Sequence, residues 1–175
     1  LAGDTSNVVT RMPPGPSKYL HVGHAISFGI NYLYSKMYDG KCILRFDDTN
    51  PEVEKQEFVD AILDDINNYL EMKASYIVYA SDYMDRFIQF AEELIKKGHV
   101  YADNSSSEEM SKQRREMIES KHRTQKLGET TRIWELMKQG RSSDYALRLK
   151  IDMKHKNAVM RDPVIYRVIA TPHYR

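Results

Sequence analysis

His21 and His24 stand three residues apart with Gly23 between them, directly after a segment holding Pro13, Pro14 and Pro16. The chain is helical in pattern after Ser17, with Ala25, Phe28, Gly29, Tyr32 and Leu33 three and four residues apart. Both imidazoles therefore fall on one face of a helix's first turn. A helix start offers unpaired N–H groups and the positive end of its dipole, which favour an anion. Two imidazoles add directional donors, and Gly23 removes a side chain that would hold a ligand off the backbone. No Asp or Glu occurs from Thr5 through Tyr38, whereas Arg11, Lys18 and Lys36 do. The pattern predicts a phosphate-binding loop and helix. The same pair also fits ordinary surface histidines or half of a zinc site. Zinc needs further Cys or His ligands, and the only cysteine is Cys42, so no metal site is predicted.

Asp47 and Asp48 form the second constellation. They follow the apolar run of Lys41 to Phe46, the predicted second strand, and precede Pro51. In open parallel sheets ligands bind beyond the carboxyl ends of strands, where a carboxylate can hold an ammonium group. A turn-and-cap role for both aspartates remains open from the residues alone.

Elements must position these groups. Val8 and Val9 predict a short buried strand, stopped by the proline-rich loop. After Thr49 or Asn50 as cap and Pro51 in the first position, Phe58, Ile62, Ile66 and Tyr69 mark the buried stripe of a helix ending near Leu70. Tyr76 to Tyr79 is a third strand. Ser81 or Asp82 caps a helix running to Lys97, with Tyr83, Phe87, Phe90, Ala91, Leu94 and Ile95 inward. Strand–helix alternation predicts a parallel sheet with crossover helices.

Near Tyr101 the composition changes. Asn104 to Ser107 is a polar break, with Ser107 capping a helix. Six Lys or Arg and only two Glu lie between Ser111 and Lys126. A helix over 129–139 has Trp134 as its core anchor. Leu147, Leu149 and Ile151 alternate with Arg148 and Lys150, a strand with a basic outer face, and 164–170 is another strand. Residues 1–100 carry 10 Lys and Arg against 15 Asp and Glu, net −5; residues 101–175 carry 16 against 10, net +6. The second balance suits a polyanion.

The 175 residues hold one or two small domains, 41% hydrophobic and 29% charged. No apolar run approaches the ~20 residues that cross a bilayer. One cysteine suits a reducing compartment. A first residue other than Met and an abrupt end at Arg175 are read as marks of an excerpt.

Arg11 to Ala25 resembles the first signature of class I aminoacyl-tRNA synthetases, His-Ile-Gly-His, with Val22 in the Ile place. The flanking Thr-Arg-x-Pro-Pro-x-Pro-Ser is similar to the glutamyl/glutaminyl branch. Arg45-Phe-Asp-Asp-Thr-Asn-Pro51 matches the same branch. Ser120-Lys-His-Arg123, Trp134-Glu-x-Met-Lys-x-Gly140 and Met160-Arg-Asp-Pro163 through Tyr166-Arg167 resemble the glutamyl enzymes of eukaryotes and archaea. Gly15, Lys18 and Ile26 depart from the branch pattern, which usually has Glu, Ala or Ser, then Gly, then often Lys there. Met110-Ser111-Lys112 echoes the second class I signature but lies on a predicted helix, and is read as a solvated helix face.

The resemblance implies an α/β fold: residues 1–102 as the first half of a Rossmann-like catalytic domain, then residues 103–175 as part of an inserted α+β acceptor-stem-binding domain. It implies ATP-dependent activation of L-glutamate and transfer to tRNA(Glu) in the cytoplasm, with Mg2+ accompanying ATP and no membrane. Other synthetases or scaffold proteins would bind through regions outside this chain. By the same carry-over, His21 and His24 are catalytic. Pro16, Ser17, His21, Gly23, His24 and Ala25 contact ATP; Arg11 and Asp47 hold the amino acid; Arg114, Arg115, Lys121 and Arg123 face tRNA. The alternatives are a glutaminyl enzyme, a nucleotidyltransferase with a similar turn, and a fragment that binds RNA without complete activity.

Overall fold

The computed structural model describes residues 3–175; the first two positions of the expected catalytic half lie outside that range. Two compact units form, Leu1–Met84 with Thr171–Arg175, and Asp85–Ala170. The expected boundary at residue 102 thus lies earlier, and the last five residues belong to the first unit. The reason is packing: Ala91, Ile95, Val100 and Ala102 share a core with Ile133, Trp134, Met137 and Leu147.

The first unit contains β1 (Val9–Met12), α1 (Val22–Met37), β2 (Lys41–Phe46), α2 (Gln56–Asp64) and β3 (Tyr76–Tyr79). Its three strands are parallel in the order β1-β2-β3. Met12, Cys42, Leu44 and Phe46 point to one face, where Phe28 of α1 and Val59, Ile62 and Ile66 from α2 and the turn after it cover them. The alternate residues Val9, Arg11, Ile43 and Arg45 take the opposite face.

The tight crossover from α1 into β2 depends on Gly40. A Cβ there would collide with the Val8 carbonyl oxygen, which accepts the Lys41 N–H at 2.9 Å.

Several expected burials are corrected. Val9 is exposed because β1 is an edge strand and Val9 lies on the uncovered face; the buried residue of that strand is Met12. α1 packs through Phe28, Tyr32 and Ser35, with Thr10 Oγ1 donating to the Asn31 carbonyl at 2.8 Å. Leu33 falls outside that arc and joins Val22, Ile26, Ile30 and Met37 in an exposed apolar row. α2 begins at Gln56, after a turn over 51–53, rather than at Pro51. A π-helical turn, Asp65–Tyr69, follows α2. The wider turn shifts the helical phase, so Ile66 stays buried but Tyr69 is 85% exposed.

The chain then runs through a 3-10 turn, Ala80–Tyr83, into α3 (Met84–Lys96), β4 (Val100–Asp103), α4 (Ser107–Glu116), α5 (Leu127–Lys138), β5 (Ala146–Leu149) and β6 (Val164–Arg167). α3 turns Ile88, Ala91, Leu94 and Ile95 inward, whereas Tyr83 and Phe90 are exposed. The cap of α4 is Ser106, one residue before the expected Ser107, accepting the Glu109 N–H at 3.1 Å. Met110-Ser111-Lys112 lies on α4.

β4, β5 and β6 form an antiparallel sheet in that order. β4 was not expected from the sequence. It makes β5 a central strand, and this reverses the expectation of a basic outer face: Arg148 is 0% exposed. Its Nη1 pairs with Asp103 at 2.8 Å and bonds Gln113 Oε1 at 2.9 Å, while Nε donates to the Asp162 carbonyl at 2.9 Å. Leu147 points to the other face, under Ile133 and Trp134.

A buried charge deprived of its partner is costly. Arg148→Met is therefore expected to lower stability by roughly 3–5 kcal/mol by stranding the Asp103 carboxylate. Urea unfolding followed through Trp134 fluorescence checks this; a change under 1 kcal/mol would contradict it.

Candidate active site

The first unit gathers the chemistry-bearing residues at the carboxyl ends of β1 and β2. The proline loop is fastened from below. Asp47 N–H donates to the Pro14 carbonyl at 2.9 Å, Lys55 N–H to the Pro16 carbonyl at 3.1 Å, and Ser17 N–H closes a turn on Gly15 at 2.9 Å. Pro14 and Pro16 are buried, while Pro13, Gly15 and Ser17 face solvent. A Cβ on Gly15 would meet only the Asp47 carbonyl, at an ordinary 3.7 Å, so this departure from the branch pattern is not imposed by space. Lys18 and Ile26, the other two departures, are exposed.

α1 caps itself with its two histidines. His21 is the N-cap, and its Nδ1 accepts the Gly23 N–H at 3.1 Å. His24 Nδ1 accepts the His21 N–H at 3.2 Å. An imidazole nitrogen that accepts carries no proton, so each neutral ring keeps its hydrogen on Nε2. The two rings lie 3.9 Å apart between centroids, and His24 rests against Phe28 at 5.9 Å.

Two expectations change here. The Gly23 and His24 N–H groups are spent inside the turn, the latter on the His21 carbonyl at 2.8 Å, so donation to an anion falls to the imidazole Nε2 edges. Gly23 serves the cap itself: a Cβ there would stand 2.9 Å from His21 Cε1. Ala25 is half-buried behind this turn.

Arg11 is exposed on the uncovered sheet face and has no ion-pair partner among the described residues. Arg45 lies on that same face and pairs with Asp47 at 3.2 Å. Asp47 is half-exposed. Its neighbour Asp48 is 0% exposed and fully engaged with Ser81, His173 and Tyr174. The turn-and-cap role left open for Asp48 by its sequence gives way to anchoring at long range, with partners 33 and more than 120 residues away. Among the described residues no group of three or more His, Cys, Asp or Glu is arranged to hold a metal ion.

The second unit holds the four basic candidates. Arg115 and Lys121 are exposed, Lys121 on the rim of a cavity of about 390 Å³ beside Glu109 and Glu119. Arg114 is half-buried and donates to the Ala158 carbonyl at 3.1 Å. Arg123 is tied to the buried Asp162 at 2.8 Å and to Glu119 at 3.3 Å. Arg161 donates to the carbonyls of His155, Lys156 and Arg114. The Met160-Arg-Asp-Pro163 segment is therefore a structural knot.

His24 has a depressed pKa, first through burial and then through the neighbouring charges of His21 and Lys18. A lowered histidine pKa makes protonation costlier in the folded state, so its stabilisation is complete above the ordinary imidazole value of about 6.5 and is lost as pH falls below it. Protonation at Nδ1 also removes the acceptor for His21 N–H. Between pH 7.5 and 5.5 the wild-type melting temperature is expected to fall more than that of His24→Asn, whose amide oxygen accepts at any pH. Equal slopes in paired thermal melts would contradict this.

Residues 7–175 match the family tRNA synthetases class I (E and Q), catalytic domain. The chain is 46% identical over 172 residues to a probable cytoplasmic glutamate–tRNA ligase of Schizosaccharomyces pombe, covering 96% of this chain and 24% of the relative. It is 41% identical over 163 residues to a probable glutamine–tRNA ligase of Dictyostelium discoideum, covering 92% and 21%. The chain spans about a quarter of the length of these curated relatives. A crystal structure of a glutamate tRNA ligase from Elizabethkingia meningosepticum, in complex with its amino acid, shares the fold at a TM-score of 0.67 and 18% identity, over 95% of this chain and 40% of that one.

Proposed function

The chain belongs to the catalytic-domain family of the class I tRNA synthetases for Glu and Gln, and from that premise we propose that it is the ATP- and glutamate-binding portion of a cytoplasmic glutamate–tRNA ligase. The observation that carries the reading is the self-capped histidine pair, whose Nε2 donors stand at the end of a parallel sheet that also ends in Asp47. The reading of glutamate and of the cytoplasm follows the printed name of the 46% identical relative.

The reaction needs no protein nucleophile. An oxygen of the glutamate α-carboxylate attacks the α-phosphorus of ATP, the bond to the β-phosphate oxygen breaks, and pyrophosphate leaves. A terminal ribose hydroxyl of tRNA(Glu) then attacks the mixed anhydride and releases AMP. Rate comes from alignment and from donors aimed at charge on phosphate oxygens. His21 and His24 supply those donors, already oriented by their caps. Pro16 and Ser17 shape the loop beside the nucleotide, and Gly23 and Ala25 keep the turn slim. Asp47 meets the substrate ammonium, and Arg11, exposed on the same sheet face, offers a planar fork to a carboxylate. Mg2+ would accompany the ATP phosphates and neutralise charge there, leaving orientation of the phosphate oxygens to the imidazole donors.

The Asp85–Ala170 unit lies within the stretch matched to the catalytic-domain family, and its basic surface is read as facing tRNA. Its exposed cations Arg115 and Lys121 are the better candidates for phosphate contact, since Arg123 is committed to Asp162. Partner synthetases or scaffolds belong to regions outside this chain.

A glutamine-specific enzyme is the second reading, favoured by the 41% identical glutamine–tRNA ligase. Pyrophosphate exchange with each amino acid in turn separates the two: glutamate is expected to drive it and glutamine is not. In the full-length chain, His24→Ala is expected to lower glutamate-dependent exchange more than tenfold, the scale of one lost transition-state donor. Asp47→Asn should weaken glutamate binding while ATP binding persists; equal loss of both would make it a structural aspartate. Arg115→Glu with Lys121→Glu should weaken tRNA binding and reduce the salt slope by about one per removed contact. Unchanged slopes would return both residues to solvated surface.

A further inference from the structure

We propose that Asp48 is a positioning residue of the amino-acid subsite, holding its neighbour Asp47 at the angle from which it meets the substrate ammonium; this rests on the Asp47 assignment above. Every acceptor of Asp48 is occupied. Oδ1 accepts the Ser81 N–H at 2.9 Å, and Oδ2 accepts Ser81 Oγ–H at 2.7 Å and Tyr174 O–H at 3.1 Å. Its carbonyl oxygen lies 2.9 Å from His173 Nε2. His173 Nδ1 accepts the Arg175 N–H at 3.2 Å, so the ring carries its hydrogen on Nε2 and donates to that carbonyl.

The segment that supplies these donors is itself anchored. The Arg175 guanidinium stacks 3.7 Å over the Tyr79 ring and bonds Asp82 at 3.0 Å and Ser81 Oγ at 3.3 Å. Tyr79 stacks on Phe46, the last residue of β2. Residues 173–175 thus close over the exit of the central strand.

Pinning one residue fixes the next. In extended chain, successive side chains point to opposite sides. With Asp48 held inward by its carboxylate and carbonyl, and Asp47 N–H held by Pro14, the Asp47 side chain has one direction left, toward solvent and Arg45. The same peptide unit fastens the proline loop. A loosened Asp48 would therefore misalign the amino acid first, and affect the nucleotide only through Pro14.

The test uses the full-length chain and L-glutamate as probe. His173→Ala, Tyr174→Phe and Asp48→Asn are expected to raise the KM for glutamate about five- to tenfold, with the KM for ATP changed less than about twofold. His173→Gln, whose amide can donate to the same carbonyl, is expected to restore the glutamate KM. Parallel rises in both KM values, no rise in either, or no rescue by Gln would overturn the positioning role. Asp47→Ala is the reference: if it leaves glutamate affinity intact, the subsite reading itself fails. If it weakens glutamate while the latch variants do not, only the present proposal fails. Should Asp48→Asn not fold, the His173 and Tyr174 variants carry the test.

Discussion

A carboxylate removed from water must be met by donors on every oxygen, or the fold cannot keep it charged. Both units are arranged around that requirement. Asp48 draws the 3-10 turn at Ser81 and the returning residues 173–175 onto the end of β2. Asp162 gathers Tyr101 O–H, Arg123 Nε and Ile151 N–H, and holds a left-handed backbone, φ +43°, to do so. Asp103 completes the set by neutralising the buried Arg148. Such groups are poor sources of net stability, since desolvation offsets the attraction. What they contribute is geometry: each joins segments far apart in sequence that apolar packing alone would let slide.

The histidine turn solves a different problem with the same means. A helix start ordinarily leaves its first N–H groups open, yet an imidazole useful to a phosphate must present a donor in a fixed direction. By capping the turn with their own Nδ1 atoms, His21 and His24 satisfy the backbone and fix both tautomers together. Burial lowers the His24 pKa and so favours its neutral form. The proline loop beside it is held by carbonyls bonded to Asp47 and Lys55, so one strand end supports both the loop that leads to the histidine turn and Asp47.

The alternation of strands and helices, the parallel sheet and the histidine pair were legible in the sequence because they rest on local periodicity and short motifs. The polar break at Asn104 to Ser107 was legible as well, but it marks the entry to α4 rather than the limit of a unit. What was hidden depends on pairing at long range. Arg148 read as an outer cation because β4, four residues long, gave no signal strong enough to make β5 central. Tyr69 read as core because a π-helical turn leaves no mark in an apolar count. Leu33 fitted the apolar spacing, yet the helix packs through the adjacent arc. The ion pair of Arg123 with Asp162, 39 residues on, left no local mark in the sequence.

Gly40 has a wider meaning. Its demand is for absent volume rather than for unusual backbone torsion, because the carbonyl of residue 8 occupies the place where any Cβ would sit. Every codon change that replaces this glycine adds that atom, so evolutionary drift at the position has no small first step. A side chain at this position would have to push the Val8 carbonyl aside, and with it the bond that joins the first two strands.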